Sequence, residues 1–552
     1  MASNRRMGRV KGSVGHLDRS LSVEDVRQVS VASGAGGNTS VEGAGPQTAS
    51  AGVSRNILAN LIGNGWTALL ALAMVPLYVH LLGLQQYGIV GFYTALQTLV
   101  VLLDLGISTT LNRTLARLSA YPDSGQQMRD VVRTLEMPYW AAAGLICVLM
   151  AAASPLIADG WFRSHHISTA TLQQALLLMG FAMALQFPFA LYSGGLLGLR
   201  RQVLLNVIMV AVGTLRAIGA VAILGLVSPT IQAFLIWQVV TSLLLSALTG
   251  VALWRSLPHS TLQPAFRREI LRTSAGFALR IFAMSVLALI VVQGPRLEVS
   301  RLVSLKEFGY FTIATVLVSG LGLVVVPVYS AVFPRLTQLA ELTQQQVMAR
   351  LYHDGAQMVS ALVLPAACTL VVYAPQVLYV WTGRSGVAAG AGTPLAFLAA
   401  GSAVNAMMYI PQALQLAHGW TRLTIGLGTA MVAIALPCTF ILTERYGISG
   451  AAFTWLATNA AALPVDLWLT HRRFLPGHLI RWFRVDVLPT TAVSTGVALL
   501  FRLALPGSPN RYLALAELAA CLAGVSLAAA LVTPRTRGPV ISLLRARVPA
   551  FS

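Results

Sequence analysis

Apolar stretches of about twenty residues recur almost end to end from residue 57 onward, separated by short polar intervals in which arginine is frequent. A helix rising about 1.5 Å per residue needs about twenty apolar residues to cross roughly 30 Å of hydrocarbon. By that measure spans fall at 57–82, 88–111, 137–158, 172–198, 203–226, 231–253 and 274–292. A second series follows at 309–334, 357–381, 393–417, 421–442, 448–470, 485–505 and 512–533. The pattern predicts an all-α polytopic membrane protein of about 14 transmembrane helices. Residues 1–52 are different: rich in Ser, Gly and Val, mixed in charge and without a continuous apolar core, they read as a disordered cytoplasmic tail rather than a signal peptide.

Composition strengthens the membrane reading. Of 552 residues 56% are apolar and 10% charged, and the mean hydropathy is +0.72. A soluble domain holds roughly 45–50% apolar and 25% charged residues and has no core large enough to hide this excess. The net charge of +20 raises nucleic acid as a partner. Such binding needs arginines gathered on one soluble face, and here they are dispersed between spans, so no nucleic acid is expected.

The charge instead orients the chain. Arg113, Arg117, Arg129 and Arg133, Arg200 and Arg201, Arg255, Arg267, Arg268 and Arg272, Arg335 and Arg350, Arg422, and Arg472, Arg473, Arg481 and Arg484 all fall in alternate loops. With the tails that side holds about 28 of 38 basic residues against about 8 opposite, which by the positive-inside rule puts both termini in the cytoplasm. Pro76, Pro188, Pro327, Pro365, Pro411, Pro437 and Pro464 lie within spans, where proline bends helices. Cys147, Cys368, Cys438 and Cys521 each sit inside an apolar stretch and form no C-x-x-C pair, so they read as buried core residues.

A repeat is visible. Leu84-Gln85-Gln86-Tyr87-Gly88 opens the second span and Leu305-Lys306-Glu307-Phe308-Gly309 opens the eighth; Leu111-Asn112-Arg113 and Phe333-Pro334-Arg335 follow at matching places. An offset of about 221 residues is a shift of six spans, and an even shift preserves orientation in the membrane. This predicts a parallel pseudo-repeat of two six-helix lobes around a central cavity, with chance agreement of short motifs as the competing reading. The expected boundaries are 53–254 for the first lobe, 255–471 for the second, and 472–552 for two appended helices and a short cytoplasmic tail.

Several ordered motifs resemble one family. Asn56-Ile57-Leu58-Ala59-Asn60 through Trp66, Pro76-Leu77-Tyr78-Val79, Leu82-Gly83, Tyr87-Gly88 and Leu103-Asp104-Leu105-Gly106 come first. Phe308-Gly309-Tyr310-Phe311 with Pro327 and Phe333-Pro334-Arg335-Leu336, then Gln415-Leu416-Ala417-His418-Gly419 and Tyr446-Gly447-Ile448-Ser449-Gly450-Ala451-Ala452, complete the series. Together they resemble the Wzx-type oligosaccharide flippases, the polysaccharide transporter family of the MOP superfamily. Many members of that family have twelve spans and no long N-terminal tail. The resemblance implies a bacterial inner-membrane protein that moves a polyprenyl-pyrophosphate-linked oligosaccharide, such as an O-antigen, capsule or exopolysaccharide unit, from the cytoplasmic to the periplasmic leaflet by alternating access. It also implies a glycan polymerase and glycosyltransferases of the same pathway as partners.

Charged groups inside a bilayer are expensive, which makes each a functional candidate. Arg216 sits roughly 20 Å along its span, near mid-membrane. It reads either as a contact to pyrophosphate, for which a guanidinium with five donors is suited, or as a structural pair with a carboxylate or carbonyls. Arg280 lies a turn inside span 7, within snorkelling reach of the interface. Arg296 follows Gly294-Pro295, with Gln293 one turn before and Glu298 nearby; a helix break there turns Arg296 and Gln293 into the cavity, and an interfacial salt bridge is the alternative. Asn56, Asn60, Asn64 and Thr67 form a polar stripe on span 1, and Thr94, Gln97, Asp104 and Ser108 a wider one on span 2. Both suit sugar hydroxyls, or hydrogen bonding between helices. Asp104 also reads as the partner of a loop arginine, and His165-His166 as a solvated pair rather than a metal site.

No G-x-x-x-x-G-K-[ST] run exists, so nucleotide hydrolysis by a P-loop is excluded. No cofactor is expected, and any drive falls to an ion gradient, the membrane potential or removal of product. Two rivals stay open. A multidrug antiporter of the same superfamily needs a deep carboxylate where span 1 offers amides. A polysaccharide-pathway membrane enzyme needs catalytic groups in a large outer loop, and the outer loops here are short.

Overall fold

The computed structural model describes residues 65–67, 69–102, 104, 106–162, 167–269, 293–505, 510–538 and 542. Among them every regular element is a helix, and eleven helices are long and apolar enough to cross a membrane. The protein is a multi-pass membrane protein. The tail at 1–52 and the span expected at 274–292 lie outside the described residues.

In chain order α1 is Gly65–Leu82, α2 Leu84–Leu102, α3 Ile107–Leu118, α4 Gly125–Gly160, α5 Thr169–Gln186, α6 Pro188–Gly198, α7 Gln202–Leu226 and α8 Ile231–Ser256. Helical residues 293–302 lead to α9 Leu305–Glu341, α10 Gln345–Val372, α11 Ala374–Thr382, α12 Ser385–Met407, α13 Tyr409–Ala417 and α14 Thr421–Phe474. A short α15 Leu479–Arg481, a π-helical stretch Trp482–Val487, α16 Leu488–Ala504 and α17 Arg511–Val532 complete the chain.

The breaks and turns have local causes. The expected span 88–111 is interrupted between α2 and α3, where Gly106 has a φ of 69° that only glycine adopts without steric cost. Pro188 separates α5 from α6, because its ring cannot continue the preceding helix without loss of a hydrogen bond. Helix α14, 54 residues long, would measure roughly 81 Å if straight, far beyond the hydrocarbon thickness. It turns back at Gly447 (φ 60°, ψ −146°), and its two ends meet where the Trp420 and Phe474 rings lie 5.6 Å apart. One assigned helix thus holds both spans expected at 421–442 and 448–470.

Helix α4 begins twelve residues before the expected span at 137. Its first turns are too polar to register as a span, yet Asp130 is buried because the connection after α8 folds onto it. Asp130 accepts from the Ala265 amide at 2.9 Å, Arg267 Nε at 2.8 Å and Gln126 Nε2 at 2.8 Å. Outward faces are apolar, as lipid requires: Leu145, Val148 and Leu149 on α4 and Leu499, Leu500 and Leu503 on α16 are exposed. Of the four cysteines, all free, only Cys521 is fully buried; the others are half-buried.

The described helices pack in two sets. In the first, α4 lies on α5, α5 on α8, α7 on α8 and α3 on α6; in the second, α9 packs on α10 and α12, and α12 on α10 and α14, with α16 and α17 against α10. The sets meet along α2 and α9. There the two repeated motifs face each other: a Cβ on Gly88 would lie 2.3 Å from the Leu305 carbonyl oxygen, and a Cβ on Gly309 would lie 2.5 Å from the Leu84 carbonyl oxygen. This reciprocal backbone contact joins the N-terminal ends of α2 and α9.

Candidate functional site

Helices α1, α2, α5, α7 and α8, with Phe189 of α6 and Val316 of α9, line a cavity of about 440 Å³ whose wall includes Thr67, Tyr78, Tyr93, Gln97, Gln186 and Arg216. Arg216 enters from α7 and meets neutral partners. Its Nε donates to Thr241 Oγ1 at 3.0 Å, Nη2 to Ser242 Oγ at 3.1 Å and Nη1 to Gln186 Oε1 at 3.5 Å. No carboxylate pairs with it among the described residues. Of the two structural alternatives for Arg216, the ion pair is therefore replaced by hydroxyl and amide oxygens.

Gln186 is the centre of this network. Its Oε1 also accepts from Gln97 Nε2 at 2.6 Å and Ser242 Oγ at 3.3 Å, and Gln97 Nε2 lies 3.1 Å from Tyr93 Oη. Three of the five guanidinium N–H groups of Arg216 are thereby engaged by the described residues. Three neutral bonds at roughly 0.6 kcal/mol each do not cover the roughly 3 kcal/mol cost of an arginine at a helix centre. Among the described residues no anionic side chain offsets the charge of Arg216, which sits a little past the middle of α7.

Gln97 and Gln186 also line an adjoining cavity of about 250 Å³, which contains Asp104 and Ser108. Asp104 sits at the break between α2 and α3. Rather than pairing with a loop arginine, its carboxylate accepts from Tyr139 Oη and from Ser108 Oγ, the latter at 2.5 Å. The span-2 stripe is divided between the two cavities, with Thr94 and Gln97 on the larger and Gln97, Asp104 and Ser108 on the smaller, and Gln97 also bonds across to Gln186.

Arg296 belongs to the second set. It lines a cavity of about 430 Å³ with Thr315, Ser319, Ser402, Asn405 and Tyr409. The helix runs unbroken through 293–302, no ion pair joins Arg296 to Glu298, and Gln293 is buried away from the cavity wall. Counted with the six-span offset, the helices around this cavity are the counterparts of those around Arg216. Asn60, Asn64 and Arg280 lie outside the described residues, as do Asn56 and His165-His166. Sequence reasoning missed Gln186, Thr241 and Ser242. Gln238, Ser242, Ser246 and Thr249 form a stripe on α8 at the same helical spacing that marked spans 1 and 2.

Comparison with known proteins accords with this architecture. The family model described as polysaccharide biosynthesis protein matches residues 53–340, just over half of the chain. The chain belongs to the polysaccharide biosynthesis protein family. The motifs that resemble the polysaccharide transporters of the MOP superfamily lie largely within the matched region. No curated protein matches the sequence. Among solved structures, the lipid II flippase MurJ in an inward closed conformation superposes with a TM-score of 0.68 at 14% identity, covering 86% of this chain and 98% of that one. An inward-facing multidrug resistance MATE family transporter of the MOP superfamily gives 0.61 at 15% identity, covering 75% and 96%. A MATE transporter in complex with MaL6 gives 0.52 at 16%, covering 78% and 97%. At these identities the likeness is one of fold: this member of the polysaccharide biosynthesis family has the helical architecture of transporters.

Proposed function

We propose that the protein flips a polyprenyl-pyrophosphate-linked oligosaccharide from the cytoplasmic to the periplasmic leaflet of a bacterial inner membrane by alternating access. The carrying observation is Arg216, a guanidinium near the middle of an apolar helix, lining a cavity and bonded among the described residues to neutral partners alone. A diphosphate presents several acceptor oxygens to such a fork. The adjoining amides and hydroxyls suit the first sugar. The two helix sets act as the lobes 53–254 and 255–471, with 472–552 appended, and the glycine contact between α2 and α9 holds the periplasmic face shut while the cytoplasmic face loads substrate.

Charge separates this reading from a multidrug antiporter. A cationic drug and its coupling ion need a carboxylate in the lobe, and the wall of the Arg216 cavity contains none. Asp104 lies in the neighbouring chamber, where Tyr139 and Ser108 already use its two oxygens. The test is the fate of the lipid-linked oligosaccharide on deletion of the gene. Accumulation in the cytoplasmic leaflet with loss of surface glycan is expected. Gradient-coupled drug efflux with glycan intact would sink the reading.

A further inference from the structure

Far from the Arg216 cavity, at the arginine-rich face, a buried chain of polar groups joins α10 to the appended helices. The π-helical turn Trp482–Val487 widens the backbone so that Asp486 points inward and is fully buried. Its Oδ1 accepts from Gln357 Nε2 at 2.8 Å, and its Oδ2 meets His353 Nδ1. His353, itself buried, places Nε2 at 2.9 Å from His478 Nδ1. The Arg535 amide closes the far end by donating to Gln357 Oε1 at 3.0 Å.

With His353 neutral, this order fixes the tautomers. With both Asp486 oxygens accepting, His353 donates from Nδ1 and presents the lone pair of Nε2. His478 then donates from Nδ1, which leaves its own Nε2 bare and directed away from the buried pair. On that side lies a cavity of about 360 Å³ lined by Gln345, Gln346, Arg350, His478 and Arg481. Neither arginine has a carboxylate or hydrogen-bond partner among the described residues. Two guanidiniums and an imidazole thus converge on one pocket with no acid in its wall.

We infer that this pocket binds a phosphate group, held by Arg350 and Arg481 and by His478, which takes up a proton at Nε2 when the anion arrives. The buried Asp486–His353 pair positions His478 for this and ties ligand binding to the packing of α10 against α16 and α17. Among the described residues, few other titratable groups lie around the imidazole. His471 at the end of α14 and Tyr352 on α10 lie behind His353, and the Asp354–Arg535 pair, at 3.7 Å, flanks the cluster. Burial, with the positive charge of Arg481 nearby, holds His478 below its ordinary value without ligand. A bound anion reverses the balance, so affinity is greatest at low pH and falls as pH rises through the liganded value. The phosphate can belong to an anionic lipid headgroup or be free in solution.

The test uses the purified full chain at about pH 6 and about pH 8, either side of the ordinary imidazole value. Thermal midpoints are measured with inorganic phosphate in detergent, and in nanodiscs of phosphatidylcholine alone or in equal parts with phosphatidylglycerol. The wild type is expected to be stabilised, with an apparent phosphate affinity up to about tenfold higher at the lower pH. R350Q/R481Q removes the stabilisation, while H478Q retains part of it but loses its pH dependence. Stabilisation by phosphate alone assigns a soluble ligand; stabilisation only with phosphatidylglycerol assigns a headgroup. No stabilisation by either probe, an equal response in R350Q/R481Q, or pH dependence that survives H478Q overturns the inference.

Discussion

Gly88 and Gly309 occupy equivalent places in the two repeats, and each lies against the backbone carbonyl at the start of the other's helix. A side chain at either position would meet a backbone oxygen at 2.3 or 2.5 Å, so the neighbouring helix itself has to move. Two short motifs, each weak on its own, are therefore halves of one contact between the helix sets.

Replacing either glycine with alanine should separate α2 from α9. The expected destabilisation is about 1–3 kcal/mol, typical of overpacking. If the contact closes the proposed transporter on one side, glycan export should fall while membrane insertion persists. Thermal midpoints of G88A and G309A, measured beside surface glycan, check this; full stability and export in both would show that the contact is slack.

A second prediction concerns Gln186. Gln186→Glu preserves an acceptor for Gln97, Ser242 and Arg216 but introduces a negative charge beside the guanidinium. Folding should survive, since an ion pair replaces a neutral bond. Export should drop about tenfold or more, equivalent to at least about 1.4 kcal/mol of lost anion binding. Gln186→Leu, which removes the acceptor but adds no charge, should be less severe. Equal export in Gln186→Glu and wild type would mean that positive charge at this place is not used.

Asp130 gives a stability prediction independent of transport. Asp130→Ala leaves the Ala265 amide and the Gln126 and Arg267 donors without their acceptor. The cost should be about 1–3 kcal/mol for a buried bond, with the exposed Arg267 contributing less than about 1 kcal/mol. Limited proteolysis should then cut within 257–269, the segment that Asp130 holds against α4. Unchanged protease resistance would show that the segment is held by other contacts.

Much of the architecture was legible because lipid imposes a simple rule on every span. The hairpin within α14 was visible as two apolar runs flanking Tyr446-Gly447. The extension of α4 was not, because residues such as Asp130 and Glu136 lower hydropathy without ending a helix. Within the site, regular spacing exposed the span-2 stripe, and the same logic applied to α8 would have found Ser242. Gln186 has no polar residue three or four positions before it to form a stripe, and its partners Gln97 and Ser242 lie 89 and 56 residues away. His353 and Asp486 are separated by 133 residues, so only the fold brings them together.

The most direct test of the proposed function compares Arg216→Ala with wild type in cells lacking the chromosomal gene. The measured quantity is the leaflet in which lipid-linked oligosaccharide accumulates, with protein level in the membrane as control. At equal protein level, Arg216→Ala should retain the oligosaccharide on the cytoplasmic leaflet as fully as the deletion does. Wild-type leaflet distribution and surface glycan in that variant would contradict the assignment of Arg216 to the anionic substrate.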